Sequence, residues 1–163
     1  MIHEYRDFNE LEKLTVLIRD VWREHYTPII GGGQVEYMLD KFQSVETILR
    51  QINEENYHYY GLLHEGQLAA YYAVQPQAKN KIFLSKFYVA AAFRGQGFGK
   101  KMLQHLIDNY VTPNETTIWL TVNKENRDSI TIYQKLGFAI TESMITDVGN
   151  GFVMDDYRME RRV

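Results

Sequence analysis

One segment constrains this chain more than any other. Phe87-Tyr88-Val89 reads as the end of a strand, Ala90 to Phe93 follows, and Arg94-Gly95-Gln96-Gly97-Phe98-Gly99-Lys100 leads into a stretch with Met102, Leu103, Leu106 and Ile107 at helical spacing. A strand that enters a glycine-rich turn and leaves it as a helix exposes the N–H groups of the helix's first turn, at the positive end of its dipole. Glycines let those groups close on an anion with no Cβ in the way, and Arg94 and Lys100 add positive charge. The spacing predicts a cradle for phosphate or pyrophosphate. It is not a Walker loop, because Arg94 stands where the first glycine belongs and Lys101 where Ser or Thr is required. It is not a dinucleotide fingerprint either, because Lys100 occupies the third glycine position.

The rest of the chain reads as one domain over residues 1–163, long enough to bury its own core. It contains no cysteine, which excludes a disulfide framework, a cysteine-ligated metal and a cysteine nucleophile. The five histidines lack metal-ligand spacing, so no metal is expected. No basic start with an apolar run opens the chain, and no stretch approaches the roughly 20 apolar residues of a membrane span. The expectation is a cytoplasmic protein without a membrane partner. The net charge of −3 argues against nucleic acid as a partner.

Periodicity gives the order of elements. Met1 to Arg6 alternates as a short strand. Asp7 or Asn9 can cap a helix with Phe8, Leu11, Leu14, Leu17, Ile18, Val21 and Trp22 on one stripe. The stripe stops near His25-Tyr26-Thr27-Pro28, and Gly31-Gly32-Gly33 predicts a mobile loop. A helix with Val35, Tyr37, Met38, Leu39 and Phe42 follows, then a short one from Val45 to about Asn53 behind Ser44. Strands are expected over Tyr57 to His64 and Gln67 to Gln75, joined at Glu65-Gly66, and over Lys81 to Val89. Phe98 to Tyr110 is helical and Thr116 to Val122 a strand. A helix then opens at Asn126 or Asp128 and ends at Gly137, before a last hairpin of Phe138 to Val148 and Phe152 to Met159. This order predicts an α+β (mixed α/β) domain: one mainly antiparallel sheet flanked by helices, with a single strand–helix–strand–helix segment inside it.

The loop from Arg94 to Gly99 resembles the acyl-coenzyme A loop, Gln/Arg-x-x-Gly-x-Gly/Ala, of the GNAT superfamily of N-acetyltransferases. Leu120 to Asn126, followed by Ser129, Tyr133 and Gly137-Phe138, resembles that family's second cofactor segment, which ends in Tyr-x-x-x-Gly-Phe. The resemblance covers about Lys81 to Phe138. It implies acetyl-coenzyme A as cosubstrate and direct transfer to a primary amine in a ternary complex. Arg94, Gly95, Gln96, Gly97, Phe98, Gly99 and Lys100 would hold the pyrophosphate. Phe87, Tyr88 and Val89 would pair with the pantetheine arm through their backbone, and Asn126 would bond the end of that arm or cap its helix. Tyr133 would protonate the leaving thiolate. Dimers are common in the family, so a homodimer is a further expectation.

The general base stays open. Many relatives carry a glutamate on the strand before the loop, but Ile82 to Tyr88 contains no carboxylate. Ser85 can position a water, and His25 has a suitable pKa range. By resemblance the acceptor site lies between Trp22 and Phe42. Trp22, Tyr26 and Tyr37, with Phe42, can wall a cationic amine, and Glu24, Glu36, Asp40, Asp147, Asp155 and Asp156 can attract it. That suits a polyamine or another small cationic amine. A protein or peptide amine is the alternative acceptor class, and a non-catalytic acetyl-coenzyme A sensor of the same fold is the alternative function.

Overall fold

The computed structural model describes all of residues 1–163. Seven strands form one sheet: β1 (Ile2–Tyr5), β2 (His58–His64), β3 (Gln67–Gln77), β4 (Lys81–Val89), β5 (Thr117–Asn123), β6 (Ala139–Gly149) and β7 (Phe152–Arg162). Their spatial order is β1-β2-β3-β4-β5-β7-β6. Every pairing is antiparallel except β4 with β5. The helices are α1 (Phe8–Ile30), α2 (Gly32–Phe42), α3 (Val45–Glu54), α4 (Phe98–Tyr110) and α5 (Arg127–Lys135). The α+β architecture read from the sequence is the one observed.

Each sheet face buries its own core. Against α4 and α5 lie Met102, Leu106, Ile118, Leu120, Phe138 and Met159, and against α1 to α3 lie Leu11, Leu14, Ile18, Leu39, Ile48 and Tyr71. Close packing between the layers leaves little slack at Gly61 in β2. A Cβ there would stand 2.5 Å from Tyr5 Cε2 and 2.7 Å from Leu68 Cδ1. Overpacking of this kind costs about 1–3 kcal/mol. Gly61→Ala should therefore lower the melting temperature by roughly 2–12 °C, measured by calorimetry, without altering the site described below.

Two local readings are corrected. The first helix does not stop near Pro28 but runs to Ile30. Pro28 removes one N–H in the last full turn, while Tyr26, Ile29 and Ile30 on that turn pack into the core, which offsets the loss. The three glycines are not a loop. Gly31 alone breaks the helix, at φ 85°, and Gly32 and Gly33 form the first turn of α2. First-turn N–H groups need no intrahelical acceptor, and Gln34, Val35, Met38 and Leu39 fix α2 by burial. Elsewhere the caps follow the sequence: Asp7 Oδ1 accepts from Glu10 N–H at 2.8 Å, Ser44 Oγ from Thr47 N–H at 3.2 Å and Asn126 Oδ1 from Ser129 N–H at 3.3 Å.

The feature that creates a site is in the middle of the sheet. β4 pairs with β5 only from Lys81 to Phe83, against Thr117 to Trp119, and then the two strands part. From Leu84 to Val89 the β5-side edge of β4 has no strand partner.

Candidate active site

The fork between β4 and β5 is closed on one side by α4 and on the other by α1. At its mouth Gly95 and Gly97 adopt φ 78° and 82°, and Cβ atoms built on either would meet nothing within 4 Å. The loop is therefore open on the outside. The first N–H of α4 to find a backbone acceptor is that of Lys101, which donates to Gly97 O at 3.2 Å; those from Gly97 to Lys100 have none. This is the geometry of an anion cradle, and it fits a pyrophosphate. Phe98 contributes only its backbone, since its ring is buried in the core. The Arg94 guanidinium is already occupied: it makes a two-pronged pair with Glu24 of α1 at 2.9 and 3.2 Å, and its Nε donates to Val89 O at 3.2 Å. Arg94 thus fastens the loop to α1 and to the end of β4. Lys100, Lys135 and Arg161 line one cleft with Leu103, Gln104 and Gly137.

Inside the fork a β-bulge sets which side chains face where. Ser85 is the extra residue, since Leu84 faces Val74 across the ladder and Lys86 faces Ala73. The alternation flips there. Ile82, Leu84, Phe87 and Val89 pack toward α4 and α5, while Tyr88 packs toward α1 and the Lys86 ammonium lies 5.8 Å from the Trp22 ring. Burial depresses Lys86 to about 8, and its Nζ donates to Ser85 O and Oγ, both at 3.1 Å. Lys86, not a carboxylate, occupies the acceptor side of this strand.

Aromatic side chains fill the floor. Trp22 Nε1 donates to the Tyr71 hydroxyl at 3.2 Å, and the Tyr26 and Tyr88 hydroxyls are 2.5 Å apart. Burial pushes Tyr26 up to about 12 and Tyr88 far above its ordinary value. Tyr133 reaches this group from α5, with its ring 6.2 Å from that of Phe87. Burial, then the neighbouring Tyr26, hold it well above a normal phenol, so it is protonated at neutral pH. Its hydroxyl is engaged by no protein group, unlike those of Tyr26, Tyr71 and Tyr88.

The structure brings Phe87, Tyr88, Val89, the glycine loop, Asn126, Tyr133, Trp22 and Tyr26 to one fork. It does not bring Tyr37 there. Tyr37 donates to Val148 O at 2.9 Å and its ring packs at a tilt against Phe152, 5.4 Å between centroids, tying α2 to the last hairpin. Glu36 and Asp40 are likewise spent on Arg23 and Arg19. Asn126 Nδ2 donates to His25 Nε2 at 2.7 Å, and Ser129 Oγ lies 3.3 Å from the same nitrogen. Burial, and then Arg94, lower the His25 pKa, so the ring is neutral and acts as acceptor to Asn126. Glu24, His25, Ile29, Glu125, Asn126, Arg127 and Asp128 surround a small opening between the ends of α1 and α5.

One functional candidate carried little sequence signal by itself. Asp156 on β7, one of several acids in the last hairpin, is buried to 8% exposure beside Asn123 of β5. Its signal was the pair Asp155-Asp156 within a strand: of two adjacent strand residues, one must point inward.

The profile of the acetyltransferase (GNAT) family matches residues 17–138. The chain is 27% identical over 139 residues to the spermine/spermidine N(1)-acetyltransferase of Bacillus subtilis, covering 77% of this chain and 88% of that one. It is 32% identical over 112 residues to the [ribosomal protein bS18]-alanine N-acetyltransferase of Escherichia coli K12, covering 69% of this chain and 75% of that one. Among solved structures, the PaiA N-acetyltransferase from Thermoplasma acidophilum, in complex with coenzyme A, superposes with a TM-score of 0.81 at 21% identity over 100% of this chain and 99% of that one. The forked sheet, the glycine loop and the family profile agree: this chain belongs to the acetyltransferase (GNAT) family and is an N-acetyltransferase.

Proposed function

We propose that the protein moves the acetyl group of acetyl-coenzyme A directly to a primary amine of a small cationic, polyamine-like acceptor. The observation that carries this reading is the fork itself: an unpaired β4 edge, open N–H groups of α4 at its mouth and a protonated tyrosine on its floor. The pyrophosphate takes the N–H groups from Gly97 to Lys100, and Lys100, Lys135 and Arg161 favour the anionic end of the cofactor. The pantetheine arm runs along Phe87 to Val89 toward Asn126, whose amide keeps one N–H beyond the bond to His25. Tyr133 gives its proton to the leaving thiolate, which it can do because its phenol is neutral at working pH.

The acceptor enters from the α1 side, between Trp22, Tyr26 and Tyr88. Support for a cationic amine comes from this aromatic wall, from Glu125 and Asp128, which together outweigh Arg127 at the opening, and from the spermine/spermidine relative. The bS18-alanine relative favours a second reading, a peptide N-terminus. Acetylation rates with spermidine, single amino acids and short alanyl peptides separate the two. The expected result is a kcat/KM for spermidine at least about tenfold above any peptide, a difference of about 1.4 kcal/mol in the transition state. A preference for peptides of that size would replace the polyamine reading with the second.

A further inference from the structure

The fork holds an acid, Tyr133, but β4 offers no carboxylate to receive the proton that the amine sheds. Asp156 stands where one is needed. β7 alternates: Tyr157 and Met159 pack toward α4 and α5, whereas Met154 packs toward α1 and α2, so Asp156 shares the acceptor face. Its neighbour across the ladder is Asn123, the last residue of β5, at the open end of the fork. It is buried, with 8% of its surface exposed, and its Oδ1 has no hydrogen-bond partner in the protein. A buried carboxylate oxygen without a partner is costly, and such a group is retained where a ligand completes it. Asp156 also lies close enough to Tyr26 to raise that phenol, and Tyr26 in turn touches Tyr88 and raises Tyr133. Asp156 and Tyr133 are thus both neighbours of Tyr26.

We propose that Asp156 receives the acceptor's ammonium group and takes its proton, so that the neutral amine can attack the thioester. This rests on the acetyl-transfer reading above. Asp156 removes one proton from R–NH3⁺. The nitrogen lone pair forms the C–N bond, the C–S bond breaks, and the sulfur leaves with its electron pair. Tyr133 protonates the sulfur and is replenished by the second proton of the attacking nitrogen. Asp156 releases the first proton to solvent, leaving an amide, free coenzyme A and one H⁺.

The surroundings set the pH dependence. Burial, then Asp155 on the same strand, raise Asp156 to about 6, and Lys124 after β5 opposes them; that lysine is bonded to Asp155 at 2.6 Å. Across the fork stand Tyr26 of α1, Lys86 and Tyr88 of β4 and Tyr133 of α5. The tyrosines are neutral at working pH, and Lys86 loses its charge near 8. A base works only when ionised, so kcat/KM should rise with pH through about 6. For stability the sign is the reverse of an ordinary aspartate: the contribution is fully present below the ordinary value of 3.8 and is lost as pH rises through about 6.

The test is Asp156→Asn in the full chain, with spermidine as acceptor. The expected result is a kcat lowered by about 10²–10⁴-fold, loss of the acid limb near pH 6, acetyl-coenzyme A affinity within about twofold of wild type, and an unchanged or higher melting temperature at pH 7. Wild-type kcat with the acid limb intact overturns the proposal. So does a defect confined to KM with that limb intact, which would make Asp156 an acceptor anchor only. So does a matching fall in cofactor affinity and melting temperature, which would make its role structural. If the wild-type protein transfers acetyl to no amine, the acetyl-transfer reading fails with it; if wild type and variant both turn over alike, only the role of Asp156 fails.

Discussion

Tyr133→Phe is expected to lower turnover by about 10²–10³-fold while acetyl-coenzyme A affinity changes by less than about twofold. The physical basis is the mismatch between leaving group and acid. A thiolate of conjugate pKa near ~8.5 leaves poorly until a proton arrives, and Tyr133 is kept protonated by burial and by Tyr26. Phenylalanine preserves the ring that packs near Phe87 and Phe138, so folding and the cofactor groove should be undisturbed. Single-turnover kinetics locate the loss: it should fall on the chemical step, and a thioester with a better leaving thiol should recover much of it. Turnover within threefold of wild type would remove Tyr133 from the proton pathway.

Gly97→Asp is expected to weaken acetyl-coenzyme A binding by about 10²–10³-fold, or about 3–4 kcal/mol. Two effects combine. Gly97 sits at φ 82°, a conformation that costs a side-chain-bearing residue roughly 1–2 kcal/mol. A carboxylate there also faces the N–H groups reserved for phosphate; like charges about 4 Å apart repel by about 4 kcal/mol at an effective dielectric of 20. Gly97→Ala separates the two: alanine carries the backbone cost of φ 82° but no charge and meets no neighbour, so it should lose about 5–30-fold, clearly less than aspartate. Calorimetric titration of the three proteins gives the comparison. Tight binding by the aspartate variant would mean the cradle lies elsewhere.

The sequence carried the sheet and its helices because their residues are periodic, and it carried the cradle because glycine spacing and flanking charge are local properties. Lys81–Val89 and Phe98–Tyr110 matched to the residue. What it could not carry depends on contacts distant in the chain. Pro28 and Gly31-Gly32-Gly33 look like punctuation, yet tertiary packing of Tyr26, Ile29 and Val35 holds α1 and α2 around a break of one residue. The bulge at Ser85 has no marker in its own residues, and it decides that Lys86 faces the acceptor. Tyr37 looked equivalent to Tyr26 on an aromatic wall until the hairpin claimed its hydroxyl. Asp156 was one of six acids in charge terms; only burial between β5 and the acceptor face distinguishes it.

The pairing of Arg94 with Glu24 adds a consequence for how the two substrates meet. Arg94 of the glycine loop is paired with Glu24 of α1, a half-exposed ion pair whose own stabilising value is small. On the proposed reading it links phosphate in the loop to the position of His25, one residue on from Glu24.

Stoichiometric acetyl transfer to an amine decides whether the fork is a catalytic site. Thiol release from acetyl-coenzyme A is followed in the presence of spermidine, with the mass of the amine product read from the same reaction. The expected result is one acetylated spermidine per thiol released, at a rate that depends on spermidine and saturates with it. Tight binding of acetyl-coenzyme A with no amine-dependent thiol release, across spermidine, amino acids and peptides alike, would contradict it and make this protein a sensor of the cofactor.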